Sequence, residues 1–194
     1  KQFKKAYDDE LEATMNWEFP DKGEDFDDYD CLSFRQALTY CKDGIAGMRT
    51  QRHETAWGPH GNSFMESVVY DLATGDEVPI WEVAGIKSRS ELEDLAEEAI
   101  VTYLRENPDK ASLATMIDVN GSEAYEAARD IIDQASDDGN GLFMLTEEGI
   151  TFWTPDYAMG SFADGNREIV VWAFDDESLV GTDVSAKYRL DLEP

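Results

Sequence analysis

The sequence predicts an α+β domain in which an antiparallel sheet carries two main helices packed on one face. Three observations lead there: strand-like segments fill the stretch from Cys31 to Val83 and return after Leu142, two helical repeats lie between them, and hairpin-type turn signals separate neighbouring strands. A chain of 194 residues fits one full core better than two small ones. The expected organisation is an N-terminal helix and acidic loop over 1–30, an α+β body over 31–175 and a C-terminal tail over 176–194, all in one globular unit.

The opening KQFKKAYDDELEA is a charged amphipathic start rather than a secretory signal, so any leader or anchor is expected to be processed away or to lie outside this chain. The acidic DKGEDFDDYD at 21–30 lacks the alternating acidic pattern of an EF-hand loop, and so does DQASDDGNG at 133–141. Both are expected to be solvated loops.

Three strands follow. LSFRQALTYC sets Leu32, Phe34 and Leu38 against polar residues, GMRTQRHETAW is a second, polar-rich strand, and SFMESVVYDL is a third. In DLATGDEV, Asp71 and Thr74 can bond the neighbouring backbone and Gly75 supplies a positive φ, which predicts a hairpin into EVPIWEV. Ser90 and Glu93 then form a capping box, and Leu92, Leu95, Ala96, Ala99, Ile100, Tyr103 and Leu104 recur at helical spacing, predicting a helix over 90–106. A second helix over 122–135 buries Ala124, Ala127, Ala128, Ile131 and Ile132, small enough to lie close to a sheet. LFML and ITFW are strands joined by a reversal ending at Gly149, and NREIVVWAF is another. DDESLV suits a short helix, and VSAKYRLDLEP is either an edge strand or an unstructured tail.

Composition excludes several functions. With 43 acidic against 16 basic side chains, the formal charge is −27, which repels phosphate backbones and anionic membranes and attracts cationic proteins. The same acidity also serves solubility or adaptation to salt without any partner. No apolar run approaches the ~20 residues needed to cross a bilayer, so the chain is expected to be soluble. Cys31 and Cys41 would lie roughly 33 Å apart on one continuous strand, too far for a disulfide, and are read as two buried free thiols.

No catalytic set stands out. His53 and His60 in HETAWGPHG are seven residues apart, not the four of a zincin helix, and Pro59 with two glycines forbids a helix there. GxSxG is absent, AMGSFADG around Ser161 being the nearest approach, and neither a Walker loop nor GxGxxG occurs. Carboxylate pairs are uninformative because 43 acids produce them by chance. No catalytic residue, metal ligand or cofactor is therefore assigned.

The least ordinary stretch is PDYAMGSFADG at 155–165, poorer in charge than the chain as a whole and held between two strands. Phe152, Tyr157 and Phe162 are spaced to pack as an aromatic cluster, with Gly160, Ala163 and Gly165 letting the chain turn closely beneath them. A packed corner is expected rather than a catalytic loop.

That corner, through Tyr157, Gly160, Phe162, Ala163 and Gly165 followed by the strand containing Val170, resembles a signature of a domain of unknown function. It is the domain at the C-terminus of RsiV-type anti-sigma factors and PdaC-type peptidoglycan deacetylases. WGPHGNSFMESVVYDLATG resembles the same family's glycine-histidine-glycine turn, strand and Asp-Thr-Gly hairpin, matching at Gly58, His60, Gly61, Asp71, Thr74 and Gly75. Trp57 stands for the first glycine of that turn, Pro59 for its alanine, Ser161 for a proline and Phe162 for a tyrosine. The resemblance covers roughly residues 30–175. It implies an extracellular, membrane-anchored or cell-wall-associated bacterial context and a non-enzymatic binding or sensor domain. Its expected partner is lysozyme or another cationic protein, or a cell-wall component. The alternative is a cell-wall glycan-acting enzyme, with His60 and nearby acids as acid and base, or an accessory domain of one. Trp57, His60, Tyr157 and Phe162 are the candidate binding residues, since glycine-rich turns beside exposed aromatics often carry recognition.

Overall fold

The computed structural model describes residues 32–54, 61–137 and 142–188. The helix and acidic loop expected over 1–30 lie outside them. Among the described residues the fold is α+β: two three-stranded antiparallel sheets and five helices, two of them long.

The first sheet is a meander of β1 (Leu32–Lys42), β2 (Ile45–Glu54) and β3 (Asn62–Asp71), with β2 in the centre. An irregularity between Leu38 and Tyr40 shifts the parity of β1. Thr39 and Tyr40 are consequently buried, while Leu38, expected to face inward, is 58% exposed. Cys41 is a free thiol but exposed rather than buried, because it lies near the open end of β1.

The turn after β3 forms as expected. The Asp71 carboxylate accepts the N–H groups of Ala73 and Thr74 at 2.7 and 3.2 Å, Thr74 Oγ1 accepts that of Asp76, and Gly75 takes φ +79°. EVPIWEV, however, is not a strand. Glu77 makes one bridge to Tyr70, and Pro79 then caps a single helical turn, α1 (Ile80–Val83). Proline has no N–H with which to continue the ladder.

Helix α2 (Arg89–Glu106) starts at Ser88, which accepts the Glu91 N–H, while Glu91 reaches back to the Lys87 N–H at 2.8 Å. The capping pair is thus two residues earlier than the sequence suggested, because SRSE satisfies the same spacing. Leu92, Ala96, Ala99, Ile100, Val101, Tyr103 and Leu104 are buried. A short helix α3 (Ser112–Met116), not foreseen, leads to α4 (Ser122–Asp137), which takes up Asp133–Asp137 from the expected acidic loop. Helix α2 lies on the second sheet, and α4 packs chiefly along α2 through Ala124, Ala128, Ile131 and Ile132.

The second sheet comprises β4 (Phe143–Leu145), β5 (Gly149–Trp153) and β6 (Glu168–Ala173), with β5 in the centre. At Gly149, φ is +147° and a Cβ would fall 1.9 Å from the Trp172 carbonyl oxygen, so only glycine fits there. DDESLV contributes a 3-10 turn over Glu177–Leu179. The tail makes a bridge from Asp183 to Ile169 and a last helical turn, α5 (Ser185–Tyr188).

The sheets meet across β4. Thr39 Oγ1 donates to the Leu145 carbonyl at 2.7 Å, and a Cβ on Gly47 would sit 3.0 Å from that oxygen. Beside this contact Arg49 of β2 pairs with Glu168 of β6, the side chains 2% and 4% exposed. Burial pushes the Glu168 carboxyl up to about 7 despite the opposing pull of the Arg49 guanidinium. Arg49 Nε and Glu168 Oε2 have no hydrogen-bond partner among the described residues.

Candidate functional site

The corner between β5 and β6 is closed at its neck by three hydrogen bonds. The Thr154 N–H donates to the Arg167 carbonyl at 2.8 Å, the Arg167 N–H to Thr154 Oγ1 at 2.7 Å, and Asn166 Nδ2 to the Thr154 carbonyl at 2.9 Å. The segment between is a compact loop whose ends touch, of the Ω type. Within it, Ala158 and Met159 are buried.

Two carboxylates organise the loop. Asp164 accepts the Ser161 N–H at 2.6 Å, Ser161 Oγ at 3.0 Å, and the Ser112 hydroxyl at 2.7 Å. The Ser112 hydroxyl, then the Ser161 N–H, hold its carboxyl below the usual aspartate value. The Leu113 N–H also donates to the Met159 carbonyl, so α3 is bound to the loop from two sides. Gly160 makes this approach possible: at φ +121°, a Cβ would lie 2.8 Å from the Ser112 Cβ. Asp156 is the second organiser, accepting Asn166 Nδ2 at 2.8 Å on one oxygen and the Ser63 N–H at 2.7 Å on the other. Arg167 completes the frame, with Nε donating to the Tyr103 hydroxyl at 3.0 Å and lying 3.4 Å from Asp183.

Of the four candidate residues, Tyr157 is placed most informatively. It does not join Phe152, which is buried and packs against Phe143 at 5.2 Å. Instead it is 52% exposed, with φ +64°, a conformation that costs a non-glycine residue roughly 1–2 kcal/mol. Of the expected aromatic cluster, Phe152 is thus separate from Tyr157, and the Phe162 ring lies outside the described side chains; Ala158, Met159 and polar contacts pack the corner. Phe162 opens a 3-10 turn, Phe162–Asp164. Trp57 and His60 lie outside the described residues, but the Ser63–Asp156 bond ties the chain just after them to the residue preceding Tyr157.

Asp156, Asp164, Ser63, Ser112 and Asn166 were not singled out in the sequence. Their signal was the Pro-Asp and Ser-x-x-Asp spacing, common to many turns. His53 Nδ1 lies 3.0 Å from Ser63 Oγ, but no carboxylate bonds its other ring nitrogen among the described residues. The carboxylates here accept N–H and O–H groups and so fix the loop to its neighbours. Among the described residues no group of three or more His, Cys, Asp or Glu is placed to hold a metal ion.

No family model matches the chain, and no curated protein matches it. Among solved structures it is similar to a DUF3298 family protein from Pseudomonas aeruginosa PAO1, with a TM-score of 0.48 and 14% sequence identity. The likeness covers 73% of this chain and 58% of that one, so this chain spans less than two thirds of that protein's length.

Proposed function

We propose that the chain is a non-enzymatic binding or sensor domain at a bacterial cell surface, and that it captures a cationic protein, lysozyme being the type, or a cell-wall component through the 155–165 corner. The observation that carries this reading is Tyr157, an exposed aromatic side chain on a backbone held at φ +64° by a loop fixed to its surroundings. A strained, exposed aromatic on a rigid frame suits recognition, because the ring needs little ordering on binding. The motif pair resembling RsiV-type and PdaC-type domains supports the same reading, since its two halves meet at the Ser63–Asp156 bond. The charge of −27 adds attraction for a basic partner.

The test is calorimetric titration with lysozyme at low and near-physiological salt, using wild type and Tyr157→Ala. Saturable binding that survives salt and weakens roughly tenfold or more in the variant is expected. Binding abolished by salt and indifferent to Tyr157 would reduce the interaction to bulk charge.

A further inference from the structure

We propose that the open edge of β3 receives an extended, basic peptide segment of the partner protein, which adds a strand beside Met65 and Ser67 and sets an apolar side chain into the adjoining cleft. This names how a binding domain would hold its partner and so rests on the reading above, but a different part of the molecule carries it.

The hydrogen-bond directions along β3 fix which groups face outward. The Ser63 N–H donates to Asp156, the Val69 carbonyl accepts the Val78 N–H, and the Asp71 N–H donates to the Asp76 carbonyl, all on the side away from β2. Strand geometry repeats every two residues, so the N–H and C=O of Met65 and Ser67 face that side too. Because β3 is an edge strand, these four groups have no hydrogen-bond partner among the described residues. A row of such groups is a template for another strand.

Both ends of the strip are stopped. Residues 76–78 cover one end until Pro79, lacking an N–H, turns the chain away, and Asp156 caps the other at Ser63. From Ser63 to Val69 an incoming strand has about 20 Å at roughly 3.3 Å per residue. Alongside opens a cleft of about 360 Å³ lined by Ser67, Val69, Ile80, Trp81, Arg89 and Phe143. Val69, Ile80, Trp81 and Phe143 give it an apolar wall, and Arg89 is already paired with Glu93 at 2.8 Å. Glu66 and Glu77 stand exposed along the strip. Against a surface at −27, a second copy of this chain is repelled and a basic segment attracted.

The experiment titrates the whole chain with a blocked hexapeptide of alternating Lys and Val, and with the same peptide methylated at every backbone nitrogen. Methylation keeps charge and side chains but removes every N–H. Ser67→Pro removes one outward N–H without touching the β2–β3 ladder, and Ser67→Ala serves as its control. Saturable binding is expected, weakened roughly tenfold by methylation or by Ser67→Pro and unchanged by Ser67→Ala. Equal affinity for the methylated peptide, or no binding at low salt, overturns the proposal, and the peptide arm decides the matter even if Ser67→Pro fails to fold. Self-association abolished by Ser67→Pro would give the edge to a second copy and overturn it as well. Lysozyme binding lost in Tyr157→Ala but intact in Ser67→Pro would overturn the edge proposal alone and leave the corner reading standing.

Discussion

Glu168 and Asp164 lie four residues apart, each joining β6 or its approach to a distant part of the chain, and their surroundings push them in opposite directions. Glu168 faces one guanidinium in a site nearly shut to water, and burial raises its carboxyl to about 7. Asp164 is half-buried, accepts hydroxyl and N–H groups of Ser112 and Ser161, and is lowered. Burial decides at Glu168, where the guanidinium only partly offsets the loss of water, whereas at Asp164 the hydrogen-bond donors outweigh a small loss of water. The buried pair is therefore a poor source of net stability but a costly thing to break, whereas the half-buried network is modest and forgiving.

The largest expected effect sharpens this contrast. Arg49→Ala or Glu168→Ala alone should cost about 3–5 kcal/mol in urea unfolding, since each strands a buried charge, while Arg49→Met with Glu168→Leu should return close to wild type. The pH response carries the same signature. Glu168 is raised from 4.5 to about 7, so its contribution to stability is fully present below 4.5 and is lost as pH rises through 7. The melting temperature should fall over that window, and Glu168→Gln should flatten the slope. Asp164 slopes the other way, its contribution being present above the ordinary aspartate range and lost as pH falls through its lowered value.

Asp164→Ala should cost about 1–2 kcal/mol, solvent sharing the lost hydrogen bonds, and should loosen hydrogen exchange at Ser161 and Ser112 without disturbing β6. Global unfolding in exchange would instead make the corner part of the core. The smallest effect is the most diagnostic. Tyr157→Gly relieves the left-handed strain and should raise stability by about 0.5–1 kcal/mol while weakening lysozyme binding. Loss of stability would mean that the ring packs rather than recognises.

What the sequence revealed and concealed follows from range. The repeat in α2, the small face of α4 and the Asp71–Gly75 turn were legible because their determinants lie within a few residues of one another. The division into two sheets was not, since hairpin signals say which strands are sequential neighbours but not where a sheet stops. Arg49–Glu168 is invisible in sequence for the same reason, its partners being 119 residues apart. At the candidate site, Tyr157 was found by motif, but aromatic spacing suggested that it would join Phe152, and neither its left-handed backbone nor its half-exposed ring was legible from that spacing. The aspartates that hold the loop were hidden among 43 acids.

The distance between Arg49 and Glu168 along the chain also sets an order of assembly. During synthesis at roughly 5–20 residues per second, the meander of β1, β2 and β3 is complete on the order of ten seconds before Glu168 emerges. Throughout that interval its inner face, with the Arg49 guanidinium, waits without its counterpart, and the outward groups of β3 are open to any neighbouring nascent strand. Mutual repulsion between acidic chains opposes pairing of two half-made domains then, so the charge that would attract the proposed basic partner also works against self-association during assembly.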